Sequence, residues 1–553
     1  MYFFRRILFL VFFLAYFQLD AQQNWFVSPT GTDSSSNGRT VASPFASITY
    51  AAEFVQQGDT IQVLAGEYFN TGFGSGDIWN TESTVKINNL HGEENAYIYI
   101  KPYQDAKVIL KGDGLCMFRL RNSSYIQIEG FEVYGEVENI SMQTARDNQF
   151  IYKDADGNIK YRVPAGSTAD EVAAMTLPVL YNISRPNYTD TKGIYVSKSH
   201  HINLINNLVH HTPGGGLRVA SGDYINIIGN EVHNCSRKSY SGTHALVVSE
   251  SLSIDENEGY KITIAQNKVH HNYNEIYSWA PSKTFITPHI DEGKGISLQK
   301  NSTENGWTHG RFLVVNNIAY KNGFAGIHNN SGERMDFYNN TCYYNSLSES
   351  GNNIGMSTQG GNDIRFKNNI VVTDPVLSGY AISVANTLNV KVKSNISFGN
   401  TDPDVVGIQV DAINADPMFI DVDDFDFRLE SSSPALDAAI ISAAPSVDYF
   451  NNARDAFPDI GAVEYMVFQG IDNPNDQFDY KVYPNPFDSF IIIQSSQLNT
   501  SDITIFNLFG QDISALVQIS KDENIKIKTQ ALKPGPYSLG IKGNYRIVIK
   551  KEQ

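Results

Sequence analysis

Between residues 244 and 328 the chain gathers groups able to move protons or hold an anion: His244, Glu250, Asp291, Glu292, Lys294, Lys300 and His328, with Arg218 upstream. A cation beside a carboxylate makes the proton on the adjoining carbon removable, and a nitrogen base of suitable pKa then takes it. Arg, His and Lys together suit β-elimination from a uronate. On this reading Arg218 neutralises the carboxylate and His328 is the base or acid, with His244, Lys294 and Lys300 as further catalytic candidates. The leaving group is either a glycosidic oxygen or a hydroxyl at a chain end, so a polysaccharide lyase and a terminal-uronate dehydratase both stay open. Glu250 with Asp291 or Glu292 offers a second chemistry, because a glycoside hydrolase needs two carboxyl groups roughly 5–10 Å apart. A third reading is a glycan-binding adhesin that uses the same groove without turnover. Asp291 and Glu292 are also the candidate ligands for a calcium ion, and no other cofactor is expected.

Aromatic residues lie close to this group. The segment "NYNEIYSWAPSKTFITPHIDEGK", residues 272–294, carries Tyr277, Trp279 and His289, which join Tyr195 as candidate substrate-binding residues. Indole faces stack on sugar rings, and loops on a rigid scaffold are where function collects. A longer insertion, 136–192, is placed to wall the other side.

The scaffold that must position them is a repeat. "INLINNLVHHT" (202–212), "INIIGNEVHNC" (225–235), "ITIAQNKVHHN" (262–272), "FLVVNNIAYKN" (312–322), "MDFYNNTCYYN" (335–345), "IRFKNNIVVTD" (364–374) and "VKVKSNISFGN" (390–400) share one pattern. Apolar and polar residues alternate, an Asn follows, and an apolar or small residue stands two places later. Period-2 alternation makes each unit a strand with one buried face, and a recurrence at this spacing signals a solenoid. The Asn column is Asn207, Asn230, Asn267, Asn317, Asn340, Asn369 and Asn395. Asn tolerates left-handed backbone and can bond to its own copies in neighbouring coils, so the column reads as a stacked ladder. A second strand precedes each unit, beginning at 193, 216, 245, 295, 326, 353 and 381. The third positions of these strands, Tyr195, Arg218, Val247, Ser297, His328, Gly355 and Ser383, are expected to point outward along one groove. The fold class is therefore all-β, a right-handed parallel β-helix over about 40–465.

The paired histidines of the repeat, such as His270 and His271, invite a metal or acid–base reading. Their register argues otherwise. His210, His233, His270, Tyr320, Tyr343, Val372 and Phe398 each stand three residues after a ladder Asn, so they form an outward stack of flat side chains.

Bulk composition sets outer limits. A net charge of −17 over 553 residues excludes a general nucleic-acid binder, which needs a basic field. An anionic ligand must then be met by a local basic site. The opening "MYFFRRILFLVFFLAYFQLDAQQ" has a basic patch, an apolar run too short to span a bilayer and a small residue at 21, and reads as a signal peptide. Only Cys116, Cys235 and Cys342 occur, too few and too odd for a disulfide framework. A secreted monomer acting on an anionic polysaccharide or oligosaccharide is the expectation.

Three resemblances cover most of the remaining chain. Residues 24–68, ending "GDTIQVLAGEY", resemble the entry of secreted β-helix carbohydrate-active proteins, where a helix (here about 47–57) caps the open core. "DPMFIDVDDFDFRLESSSPALDAA" with "DIGAVEY", within 416–465, resembles their closing segment. Residues 480–551, with Tyr483-Pro484-Asn485-Pro486 and Pro534-Gly535-Pro536-Tyr537, resemble the C-terminal sorting domain of the type IX secretion system. That implies a Bacteroidetes exporter as partner and a separate β-sandwich over 480–553, joined to the helix domain (22–465) by a linker at 466–479. Within the coils, "AGIHNNSGERMDFYNNTCYYN" (325–345) is similar to polysaccharide lyase family 9. That family uses an Asp-rich calcium site and a lysine base. Here Ser297 stands in the lysine's place and no Asp-Asp-Gly-x-x-Asp run occurs, so the resemblance implies fold and general habit but not that site.

Overall fold

The computed structural model describes residues 22–149, 186–278, 292–348, 353–399 and 409–466, short stretches between them, and much of 481–550. Trp279, His289, Asp291, the signal segment, most of the linker and much of the 136–192 insertion lie outside the described residues. By contacts the chain divides into two units, 1–465 and 466–553.

The first unit is a parallel β-helix. One coil is Leu217–Ala220, Asp223–Ile228 and Glu231–His233, and the next is Leu246–Ser249, Tyr260–Ala265 and Lys268–His270. Each strand pairs in parallel with its counterpart one coil on, giving three faces, here called the first, second and third sheets in coil order. In two late coils the first two strands run together without a break, as Asn353–Lys367 and Gly379–Lys393. Alternate residues face inward and are fully buried, for example Leu217, Val219, Ile225, Ile227 and Val232. Stacked coils thus build one continuous apolar core, which no coil could bury alone.

The Asn ladder forms as expected and runs the length of the repeat. The side-chain oxygen of Asn317 accepts from the Asn267 backbone N–H (3.0 Å) and amide nitrogen (2.9 Å), while Asn317 Nδ2 donates to Asn340 Oδ1 at 2.9 Å. The same bonds recur down to Asn395. The left-handed backbone, however, falls one residue earlier, on Asn206, Gly229, Gln266, Asn316, Asn339, Asn368 and Ser394. The ladder residue keeps ordinary backbone and turns its amide along the stack. A second ladder, Asn272–Asn322–Asn345 with links of 2.9 Å, holds the opposite corner.

Left-handed residues also mark the corner after each first-sheet strand: Asn122, Lys198, Ser221, Glu250, Lys300 and Ser331. Small residues mark the corner before it, at Gly193, Gly216, Ala245, Gly295, Gly326, Gly355 and Ala381. A Cβ on Gly216 would lie 2.4 Å from Val232, and one on Gly355 would lie 2.0 Å from Val371. This column corrects the expected register of one coil. Because Gly355 belongs to the corner, Ser357 and not Gly355 pairs with His328.

The histidine column stacks as its spacing implied. Ring centroids are 5.0 Å apart for His210–His233, 4.8 Å for His233–His270 and 4.6 Å for His270–Tyr320, with nearly parallel planes throughout. His270 Nε2 also meets Glu231 at 2.9 Å. In the last coils this outer face is covered by the closing segment, whose Phe419, Phe427, Leu429 and Ile460 pack on Tyr320, Tyr343, Ile370 and Ile396. Asn316 and Asn339 donate side-chain bonds to its carbonyls at Val447 and Asp459. In "DIGAVEY", Glu464 pairs with buried Arg454 and takes the Asp459 N–H, so the motif is a structural clasp. At the other end the helix is shorter than expected, Ile48–Ala51 instead of 47–57. Ser47 caps its start, and the chain then turns so that Phe54 joins a cluster with Trp25, Phe45 and Tyr50. The three cysteines are free and buried.

The second unit is antiparallel. Lys481–Tyr483, Phe490–Gln494, Ile525–Lys528 and Gln518–Lys521 form one sheet; Ile503–Phe506, Gly535–Ile541 and Asn544–Lys550 form another. Their shared core includes Ile491, Ile493, Ile505, Ile525, Ile527 and Leu539.

Candidate active site

The outward centre of the first sheet is a single row, one residue per coil: Lys86, Arg119, Tyr195, Arg218, Val247, Ser297, His328, Ser357 and Ser383. Arg218 and His328 are three strands apart, about 14 Å at the inter-strand spacing. The row dips between them, because Val247 and Ser297 are small. Three side chains from the preceding corner fill that dip.

His244 and Lys294 occupy equivalent corner positions on adjacent coils, just before Ala245 and Gly295. The Lys294 backbone N–H points at His244 Nδ1 (3.4 Å). A neutral ring that accepts at Nδ1 carries its proton on Nε2, which here faces Glu292 Oε2 at 3.8 Å. The same carboxylate oxygen binds Lys294 Nζ at 2.6 Å. The ammonium also lies 4.7 Å from the centroid of the Phe324 ring, which stands edge-on to His328 at 5.7 Å. His328 Nδ1 is 2.7 Å from Ser357 Oγ, leaving Nε2 to exchange a proton. The site thus joins His244, Glu292, Lys294, Phe324, His328 and Ser357 from four consecutive coils.

Burial governs its electrostatics. His328 is 4% exposed and His244 3%. Loss of solvent pushes the His328 pKa down to about 3, the Lys294 charge pushes the same way, and Glu292 opposes. His244 is held well below the usual histidine range by burial and then by Lys294, with further lowering from His328 and Arg218. Both rings are therefore neutral at pH 7, beside one paired ammonium. Arg218 donates from Nη2 to Ser249 Oγ (3.1 Å), while its buried Nε has no partner.

Two candidates fall outside this group. Lys300 and Glu250 sit on the left-handed corner beyond the strand end, exposed and 3.8 Å apart. A strand of about 3.3 Å per residue puts that corner roughly 16 Å from the Ala245 end. Lys300 and Glu250 thus lie at the far end of the strand from the group around Glu292, Lys294 and His328. Glu292, one of the two candidate calcium ligands, meets Lys294 and His244, and the other, Asp291, lies outside the described residues. Tyr195 is in the row next to Arg218. Tyr277 lies where the two insertions meet: its backbone N–H donates to Gln149, Ile276 packs on Ile140 and Ala145, and Arg237 bridges Glu138 and Glu275.

Ser357, Phe324, Arg119 and Lys86 were not among the sequence candidates. Ser357 was recoverable by aligning the small corner residues. Lys86 and Arg119 lie before the 136–192 insertion, which breaks the spacing of the repeat.

Comparisons with known proteins agree with this architecture. A model described as "Right handed beta helix region" matches residues 181–342, and one described as "Secretion system C-terminal sorting domain" matches 481–552. The chain is accordingly a right-handed β-helix followed by a sorting domain that marks it for export to the cell surface or medium. No helix of the described residues is long and apolar enough to cross a membrane. No curated protein matches the sequence. Among solved structures, pectate lyase Pel9A is similar at 13% identity and TM-score 0.44, over 80% of this chain and 97% of the other. A glycoside hydrolase is similar at 11% and 0.42, over 75% and 100%. The Azotobacter vinelandii mannuronan C-5 epimerase AlgE4 A-module is similar at 12% and 0.35, over 66% and 88%.

Proposed function

We propose that the first sheet binds an anionic polysaccharide or oligosaccharide and catalyses β-elimination at a uronate, with His328 as the base. One observation carries this reading: a buried, neutral imidazole, fixed at Nδ1 by Ser357, stands beside a lysine charge on an outward groove. Lys294 is better placed than Arg218 to neutralise the reacting carboxylate, because its charge acts directly on His328 whereas Arg218 is about 14 Å away. An incoming carboxylate also raises the basicity of His328, since a nearby anion favours the imidazolium. His328 Nε2 takes the C5 proton, the C5–H pair becomes the C4–C5 double bond, and the C4–O bond breaks. The imidazolium returns its proton to the departing oxygen. His244 holds Glu292, and through it Lys294, in place. Arg218 then binds the carboxylate of a neighbouring sugar.

The test begins with ultraviolet absorbance of the conjugated alkene over a panel of anionic polysaccharides. On an active substrate, His328→Ala should lower turnover 10²–10⁴-fold, the usual cost of losing a general base. Arg218→Ala should act mainly on KM. New reducing ends without absorbance would identify a hydrolase, and binding without products an adhesin. Near-wild-type rates in a folded His328→Ala variant would move the chemistry elsewhere.

A further inference from the structure

Upstream of the candidate site, five cations in and beside the first sheet have no carboxylate partner among the described residues. Lys86, Arg119 and Arg218 belong to the central row, with Tyr195 between the two arginines. Arg121 ends its strand and Lys198 stands on the left-handed corner just beyond, where with Asn88, Asn89 and Asn122 they line a depression of about 540 Å³. Among the described residues none of the five forms an ion pair, although most other arginines and many lysines do, including Arg237, Lys261, Arg311 and Arg454. Arg119 has no hydrogen bond from its side chain, and the Nε atoms of Arg119 and Arg218 are both buried and unsatisfied.

That arrangement is unfavourable for the protein alone. Like charges directly opposite on neighbouring strands, as at Lys86 and Arg119, destabilise a sheet. A buried guanidinium N–H without an acceptor costs about 1–3 kcal/mol. In a chain of net charge −17 carboxylates are abundant, yet among the described residues none pairs with the row. A guanidinium fork is shaped for a planar anion. Successive cations in the row are one and two strands apart, about 5 and 10 Å.

We infer that this row is an extended subsite for the non-reacting acidic groups of a polyanionic glycan, so that the ligand carries carboxylates or sulfates on successive sugars. Arg119 and Arg218 grip anions on either side of Tyr195, and Lys86 adds an outer contact. The inference rests on the proposed function for its glycan but not for its chemistry. It makes the ligand a polymer segment and disfavours a lone terminal uronate.

Calorimetry on the intact mature chain tests it without turnover. Probes are saturated oligomers of galacturonate, mannuronate, guluronate and glucuronate, of one to six units, with dextran sulfate as a polyanion of different stereochemistry and neutral galactose oligomers as control. Affinity should rise with the number of acidic units and fall with added salt. Arg119→Gln should weaken the longer oligomers roughly tenfold or more, leaving the shortest ones unchanged, and Arg119→Lys should restore part of the loss. Lys86→Gln, at an exposed position, should weaken only the longest. Binding that ignores length, binding of neutral oligomers equal to acidic ones, or no binding of any polyanion would overturn the inference. Length-dependent binding through Arg119 without alkene formation would uphold it while sinking the lyase reading; alkene formation unaffected by Arg119→Gln and Lys86→Gln would do the reverse.

Discussion

Replacing His328 by Gln should change how the stability of the protein depends on pH. An unfolded histidine titrates at about 6.5, whereas in the folded protein burial and the Lys294 charge hold His328 near 3. Between those values the unfolded chain takes up a proton that the folded chain refuses. Stability from the neutral, buried ring is therefore complete above about pH 6.5 and is lost as pH falls towards 3. The slope approaches 1.36 kcal/mol per pH unit for one such group, so lowering pH from 6.5 to 4.5 costs about 2–3 kcal/mol. Little solvent screening reduces this, since the residue is 4% exposed. Gln at 328 can still meet Ser357 Oγ but has nothing to protonate. Its packing defect is the same at every pH and so does not affect the slope. His210 and His270, also depressed to about 4, contribute equally to both proteins and cancel in the difference. Urea midpoints of the wild type and His328→Gln, measured from pH 7.5 to 4.5, should converge on acidification by this amount. Parallel curves would show that His328 is hydrated or already charged, and the proposed base would lose its physical footing.

Three further outcomes follow from other parts of the structure. Asn317→Ala removes the acceptor for two Asn267 donors and leaves Asn340 only the backbone N–H of residue 317, so it should cost about 2–6 kcal/mol in denaturant unfolding, at about 1–3 kcal/mol for each of the two stranded donors. A loss below 1 kcal/mol would mean that the ladder relaxes around gaps. His270→Gln should leave turnover within several-fold, because its ring lies in the third-sheet stack, away from the groove; complete loss with retained folding would contradict that placement. Deleting 480–553 should leave the chain inside the cell envelope, since this segment contains the sorting domain, and unchanged appearance outside the cell would refute its role.

What the sequence revealed depended on whether a role recurs once per coil. A side-chain amide ladder needs the same residue type at every step, because each Asn accepts from the one before it and donates to the one after. The column was therefore legible, as was the ring stack, which needs only flat side chains in register. The second ladder, Asn272–Asn322–Asn345, left the same mark at the unit ends and was readable by the same logic. The docking of the closing segment was not legible, although the segment itself was. Its contacts with Asn316, Asn339 and Asn368 are specific but have no period to reveal them.

The site obeys the opposite rule. Its residues differ from coil to coil, so only register places them, and register is read from the residues that do not vary in size. Counting from the start of Asn353–Lys367 put Gly355 in the groove, because that strand begins two residues early; the corner glycines, each crowded by the third sheet, would have put Ser357 there. Nearness in sequence likewise did not reveal which corner Lys300 occupies. It follows Gln299 directly, but a left-handed residue turns the chain out of the sheet, and its charge ends on the solvent corner opposite Glu250. Lys294, six residues earlier, precedes the strand at the corner where small neighbours leave room, and there a long side chain can fold over the sheet. For these two lysines the corner of the coil decides the outcome: Lys294, at the glycine-lined corner, meets Glu292 and the Phe324 ring, and Lys300, at the left-handed corner, meets the exposed Glu250.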